Sequence, residues 1–163
     1  LLGIGGFGQG NTQMVPLHMA MVAASIAHGG VMMRPYVIGT TYDHDGGVLQ
    51  RTAPTVWKTP MTPSTANLLT ELMVGVVNEG TAQCCMKLAN GIQAAAKTGT
   101  AQLNTAGEPE RSHAWIIAFA PAAAPKYVIV VMLKGTNAEI SEGTGGSLAG
   151  PVAKKVLDIA LNQ

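Results

Sequence analysis

The chain has 163 residues, 47% of them hydrophobic and 12% charged, with ten basic against nine acidic side chains and a net charge of +1. That length and apolar supply suit one globular domain with a sizeable core, and the scattered, balanced charge leaves no electrostatic footprint for nucleic-acid binding. No stretch approaches the roughly 20 uninterrupted apolar residues of a membrane span, no signal-peptide pattern opens the chain, and Leu1 is not an initiator methionine. The sequence therefore reads as a processed or partial piece, with any membrane anchor upstream of it.

In chain order, Gly3-Ile4-Gly5-Gly6-Phe7-Gly8 satisfies the G-x-G-x-x-G dinucleotide pattern. No strand precedes it, however, and Val22 to Arg34 contains no carboxylate to hold a ribose, so a tight loop leading to the first helix is expected instead. Pro16 to Ala27 carries Leu17, Met21, Ala24 and Ile26 near helical spacing, opens with proline at a permitted first-turn position and stops at Gly29-Gly30. Two extended segments, Tyr36 to Tyr42 and Val48 to Arg51, flank the turn sequence Asp43-His44-Asp45-Gly46-Gly47 and predict a small peripheral hairpin. Thr62-Pro63-Ser64 then starts a second helix, Thr65 to Asn78, with Leu68, Leu69, Leu72, Met73 and Val76 as its apolar face and Gly80 past its end.

Cys84 and Cys85 are adjacent, and neighbouring residues do not reach ordinary disulfide geometry without strain, so free, half-buried thiols are expected. His18, His28, His44 and His113 lie far from them in sequence, and no metal or cofactor is expected. Gly91 to Thr98 comes within one residue of a phosphate-binding G-x-x-x-x-G-K-T loop, with Ala96 where the second glycine belongs. The context is wrong for it: Gln83 to Asn90 is a poor strand, and Gly99 weakens any helix that would follow.

From here the period turns extended. Gln93 to Ala101, Ala114 to Ala120 and Tyr127 to Lys134 are three strand candidates joined by short connections, so antiparallel neighbours are the simplest arrangement. The run Val128 to Leu133 suits a strand buried on both faces. The Asn104 to Ser112 connection is polar and charged, and it is expected to move at the mouth of any site on the first strand. A glycine-rich loop, Gly143 to Gly146, leads into a last helix, Pro151 to Leu161, expected to lie across the sheet. The fold class is α+β, an antiparallel sheet with helices on both faces, and three strands leave edges that a larger sheet fills from elsewhere.

The most informative stretch is Lys97-Thr98-Gly99-Thr100, behind Ala94-Ala95-Ala96. On a strand, alternation puts Lys97 and Gly99 on one face and Thr98 and Thr100 on the other, with Gly99 admitting a close neighbour beside the cation. The tetrad alone reads by default as an ordinary edge strand guarded by a gatekeeper lysine. Its surroundings are more specific. Gly8-Gln9-Gly10 with Val15 to Ala20, Ile26 to Gly30, Lys97 to Gln102, Ala114-Trp115 to Ala120-Pro121, and Leu148-Ala149-Gly150-Pro151-Val152 occur in that order. Together they resemble the C-terminal part of the transpeptidase domain of class B penicillin-binding proteins, most of all its actinobacterial subfamily.

The resemblance implies a membrane-anchored, extracytoplasmic enzyme of cell-wall synthesis, a peptidoglycan D,D-transpeptidase that cross-links stem peptides through a serine acyl-enzyme and is acylated by β-lactams. It assigns Lys97 to substrate binding and to the field around the nucleophile, Thr98, Gly99 and Thr100 to substrate binding, and the Thr100 backbone N–H to the oxyanion hole. It makes stem peptide, β-lactams, an upstream portion of the same protein and a lipid II polymerase or divisome protein the expected partners. The family's Ser-x-x-Lys and Ser-x-Asn motifs are absent: none of Ser25, Ser64, Ser112, Ser141 and Ser147 has lysine three residues on or asparagine two residues on. By itself the chain is expected to be inert. Ala96 stands where the family commonly has glycine, and His18 and His28 where it commonly has glutamine and asparagine. A serine β-lactamase or D,D-carboxypeptidase of the same fold, and a non-catalytic sensor or scaffold that binds wall peptide, are the alternatives.

Overall fold

The computed structural model describes residues 2–6, 8–10, 12–103 and 111–162. Apart from Arg111 and Ser112, the polar connection lies outside the described residues. The N-terminal glycines form a one-turn helix, α1 (Leu2–Gly6), and then turns, where a tight loop was expected. Helix α2 (Pro16–Ala27) has the expected bounds. Its end is set by backbone geometry: Gly29 and Gly30 take φ of 63° and 93°, and a Cβ on Gly30 would run into the Met61 carbonyl.

Four short strands follow. The hairpin β2 (Thr40–Tyr42) and β3 (Val48–Arg51) closes around Asp43, whose carboxylate accepts from the Asp45 and Gly47 N–H groups. It is peripheral, as expected, and Val37 and Leu49 are exposed around it. The pair β1 (Met32–Met33) and β4 (Val56–Lys58) was not anticipated, because two or three residues are too few to show a period. Helix α3 (Pro63–Asn78) starts where Thr62 Oγ1 accepts from the Thr65 N–H at 3.2 Å.

The central sheet is β5-β6-β7, antiparallel throughout, from β5 (Ala95–Gln102), β6 (Ser112–Ala120) and β7 (Tyr127–Leu133). Its register runs from Ala95 opposite Phe119 to Gln102 opposite Ser112, and from Ala114 opposite Leu133 to Ala120 opposite Tyr127. Two cores form on its two faces. Ala95, Ile117 and Phe119 pack with Ile26 of α2 and with Leu69 and Met73 of α3. Ala96, Ile116 and Ala118 pack with Met86, Val77, and Ala153 and Leu157 of the last helix, α5 (Gly150–Leu161). The helices-on-both-faces expectation is met, with the short α4 (Ala138–Glu142) and a five-residue π turn (Gly145–Ala149) added before α5.

Two expectations are corrected. Val128 to Leu133 is only half-buried, because β7 is one of the two edge strands of this three-stranded sheet. Cys84 and Cys85 are joined in a disulfide with their Cα atoms 3.8 Å apart, rather than free. The expectation rested on the ordinary Cα span of about 4.4–6.8 Å, which excludes a pair closed within one turn. Cys85 is buried under Gly150, where a Cβ would come within 2.8 Å of the cysteine's own Cβ. Among the described residues no helix is long and apolar enough to cross a membrane.

Candidate active site

The Lys97-Thr98-Gly99-Thr100 tetrad lies mid-way along β5, with β6 on one side and the outer edge of the sheet on the other. In an antiparallel ladder the backbone groups of alternate residues point to opposite sides of the strand. Three contacts show which residues point outward. Lys97 Nζ donates to the Thr98 carbonyl at 2.6 Å, Gln9 Nε2 donates to the Thr100 carbonyl at 2.9 Å, and the Gln102 N–H donates to Gln9 Oε1 at 3.1 Å. Thr98, Thr100 and Gln102 therefore turn their peptide groups to the outer edge, and the Thr100 N–H points there with them. Lys97 is exposed and curls its ammonium over that same edge.

The small residues preceding the tetrad are explained by what lies against them. Ala94, Ala95 and Ala96 are fully buried between the two cores. The π turn sits directly on the face of the strand that carries Thr98: a Cβ on Gly145 would strike the Trp115 and Gly99 carbonyls, and one on Gly146 the Thr81 carbonyl. The turn is locked by its own capping box, in which Thr144 and Ser147 exchange side chain-to-backbone bonds. Thr81, just past α3, bonds its hydroxyl to the Thr98 hydroxyl. Strand β5 is thus held from behind, and at its outer edge Gln9 occupies the Thr100 carbonyl and the Gln102 N–H while no described residue takes the Thr100 N–H.

On the other face, Gly99 lies opposite Trp115, and a Cβ there would meet the tryptophan Cβ at an ordinary 3.5 Å. Trp115, Ile117 and Met132 form an apolar wall, and with Gly8, Gln9, Gly10, Thr12 to Met14 and the tetrad they bound a cleft of about 730 Å³. Its size is in the range of small-molecule sites. Among the described residues lining it are Lys97, an exposed cation, and His113. His113 Nδ1 accepts from the Gly135 N–H at 3.0 Å, which places the proton of the neutral ring on Nε2. Burial first, then the charges of Lys134 and Arg111, hold the His113 pKa below its ordinary value. Arg111 itself donates to the Gly135 carbonyl at 3.1 Å. Among the described residues no group of three or more His, Cys, Asp or Glu side chains is placed to hold a metal ion.

The structure places all four predicted site residues together on β5, with Lys97, Thr98 and Thr100 presenting groups at its outer edge and Gly99 paired to Trp115. It also assembles residues to which the sequence gave no chemistry. Gln9 was read only as part of a glycine-rich stretch, although a polar side chain between Gly8 and Gly10, both at positive φ (80° and 74°), is one aimed by its backbone. The Thr81–Thr98 contact had no local signal at all.

Residues 3–158 match the penicillin binding protein transpeptidase domain. The chain belongs to that family. The peptidoglycan D,D-transpeptidase PbpA of Mycobacterium tuberculosis is 40% identical over 160 residues, which cover 98% of this chain and 32% of the relative. Penicillin-binding protein A from M. tuberculosis, solved as its penicillin G acyl-enzyme complex, superposes with a TM-score of 0.84 at 38% identity, covering 98% of this chain and 35% of that one. The imipenem acyl-enzyme complex of the same protein gives 0.81 at 34% identity, with coverage of 98% and 34%. The chain spans about a third of the length of these transpeptidase-family relatives. The resemblance carried by five short motifs thus extends over nearly the whole chain.

Proposed function

We propose that this chain is the C-terminal portion of the transpeptidase domain of an extracytoplasmic peptidoglycan D,D-transpeptidase, anchored by an upstream membrane segment. The upstream portion of the same protein supplies the serine of a Ser-x-x-Lys motif, and this chain supplies the strand against which the substrate is held. The observation that carries this reading is the Thr100 N–H on the open edge of β5, beside the Lys97 ammonium.

The serine oxygen attacks the carbonyl of the terminal peptide bond of a stem peptide, or that of a β-lactam ring. Negative charge develops on the carbonyl oxygen, and the Thr100 N–H meets it without reorganisation, because β5 is fixed from behind by the π turn and by Thr81. One preorganised donor of this kind is typically worth about 3 kcal/mol of transition-state stabilisation. The Lys97 ammonium favours the anionic substrate and biases the field around the serine. The substrate carboxylate takes hydrogen bonds from the Thr100 hydroxyl, which is exposed, and from the Thr98 hydroxyl, which is hydrogen-bonded to the Thr81 hydroxyl. Collapse expels the terminal residue, and the amine of a second stem peptide, rather than water, resolves the acyl-enzyme. Stem peptide and β-lactams are the ligands, and a lipid II polymerase or divisome protein is the partner that delivers glycan strands.

The test is incubation of the full-length protein with a synthetic pentapeptide stem and a D-amino acid acceptor. Exchange of the terminal residue for the acceptor is the expected result. Release by water alone makes the protein a D,D-carboxypeptidase. No reaction, with no acylation by penicillin, makes it a wall-peptide-binding relative without turnover.

A further inference from the structure

The edge of β5 is open at the Thr100 N–H but not at the Thr100 carbonyl, which already accepts from Gln9 Nε2 at 2.9 Å. Gln9 Oε1 also accepts from the Gln102 N–H at 3.1 Å. One side-chain amide thus takes two edge positions that successive hydrogen-bonding residues of a neighbouring strand would otherwise fill. Its backbone fixes it there: Gly8 and Gly10 take left-handed φ on either side, and the Gln9 N–H is tied to the Ile4 carbonyl at 3.2 Å.

Ladder geometry says what this displaces. In a hydrogen-bonded antiparallel pair, two opposed residues exchange both N–H···O bonds. A peptide residue whose carbonyl oxygen points at the Thr100 N–H therefore brings its own N–H to the Thr100 carbonyl, the position that Gln9 Nε2 holds. On the transpeptidase reading, that residue is the one whose carbonyl is attacked. We propose that Gln9 is a specificity-determining residue. Its side-chain amide stands in for the ligand's backbone N–H, so that a ligand carrying an N–H on the atom next to the attacked carbonyl must displace it, while a ligand without one leaves it in place. Gln9 thereby sets a threshold that is specific to peptide-like ligands.

The proposal rests on the transpeptidase reading, and two β-lactams separate the two. Penicillin G carries an acylamino N–H next to its reactive carbonyl; imipenem carries a hydroxyethyl group there and no amide. Second-order acylation rate constants of both are measured on the full-length protein as wild type, Gln9→Ala and the size-conserving Gln9→Met. Removing one net hydrogen bond that must be broken is expected to raise the penicillin-to-imipenem rate ratio by about three- to tenfold in both variants. A structural role for Gln9 moves both rates together and leaves the ratio unchanged. An unchanged or lowered ratio in whichever variant folds, with wild type still acylated, overturns the proposal and leaves the transpeptidase reading standing. A wild-type protein acylated by neither compound overturns both.

Discussion

Gly145 is where the fold and the site meet, and Gly145→Ala tests that junction. A Cβ at this position would lie 2.6 Å from the Gly99 carbonyl oxygen and closer still to that of Trp115. Ordinary van der Waals contact is about 3.4 Å, so the π turn and the β5-β6 pair must separate by nearly 1 Å at the least, and neither obstacle is a flexible side chain. Overpacking of this kind costs about 1–3 kcal/mol, and the upper end applies where backbone must move on both sides. The displaced residue is Gly99, whose peptide unit with Thr100 carries the proposed oxyanion donor. A shift of about 1 Å at such a donor reduces rates by about a hundredfold. Chemical denaturation of the full-length protein and its rate of acylation by penicillin read the two effects separately. A Gly145→Ala protein with wild-type stability and wild-type acylation refutes the idea that the π turn positions the strand.

Two further predictions concern pH. Burial alone pushes the Asp158 carboxyl up, but its hydrogen bond from Lys154, that from the Ala89 N–H at 2.8 Å and the charge of Lys154 together outweigh burial and hold the pKa below the ordinary carboxylate value. A lowered folded pKa means stability that is present above the unfolded value of about 4 and is lost as pH falls through the folded value. Asp158→Asn is expected to lower stability at pH 7 by about 1 kcal/mol and to flatten the pH dependence of the denaturation midpoint below pH 4; an unchanged acid limb contradicts it. His113 is also depressed, by burial first and then by Lys134 and Arg111, so it stabilises the fold above its unfolded pKa of about 6.5 and less as pH falls below that. His113→Gln is expected to remove that loss of stability between pH 6.5 and 5, which a series of denaturation curves across this interval reads directly.

Much of the fold was legible because its long elements carry their own periods. Helices α2 and α3 and the three strands of the central sheet came from apolar spacing and from caps such as Thr62, which packing only had to confirm. The short pairs, β1 with β4 above all, exist through tertiary contact and had no pattern to read. The exposure of β7 differed from expectation because an apolar run reports what a strand can bury, not what covers it. Cys84–Cys85 was missed because a span rule drawn from ordinary disulfides says nothing about adjacent residues. Within the site, the tetrad was legible as a strand bearing a cation and hydroxyls. Its assignment to acyl transfer came from family motifs, since neither spacing nor composition names a reaction. Gln9, Thr81 and Gly145 act on the tetrad from distant sequence positions, and only the folded chain places them there.

The central claim is that the Thr100 N–H stabilises charge developing on the attacked carbonyl, and Thr100→Pro addresses it most directly. Thr100 turns its peptide groups away from β6, so proline removes the proposed donor without removing a ladder bond, and Thr100→Ala, which removes the hydroxyl alone, is the reference for that loss; proline is tolerated at a strand edge. The measurement is the acylation rate of full-length wild-type and Thr100→Pro protein by penicillin, followed by intact mass, with thermal denaturation alongside. The account predicts one penicillin per wild-type chain and a fall of about a hundred- to a thousandfold in the variant, at a melting temperature close to wild type. Acylation of Thr100→Pro at the wild-type rate would contradict it.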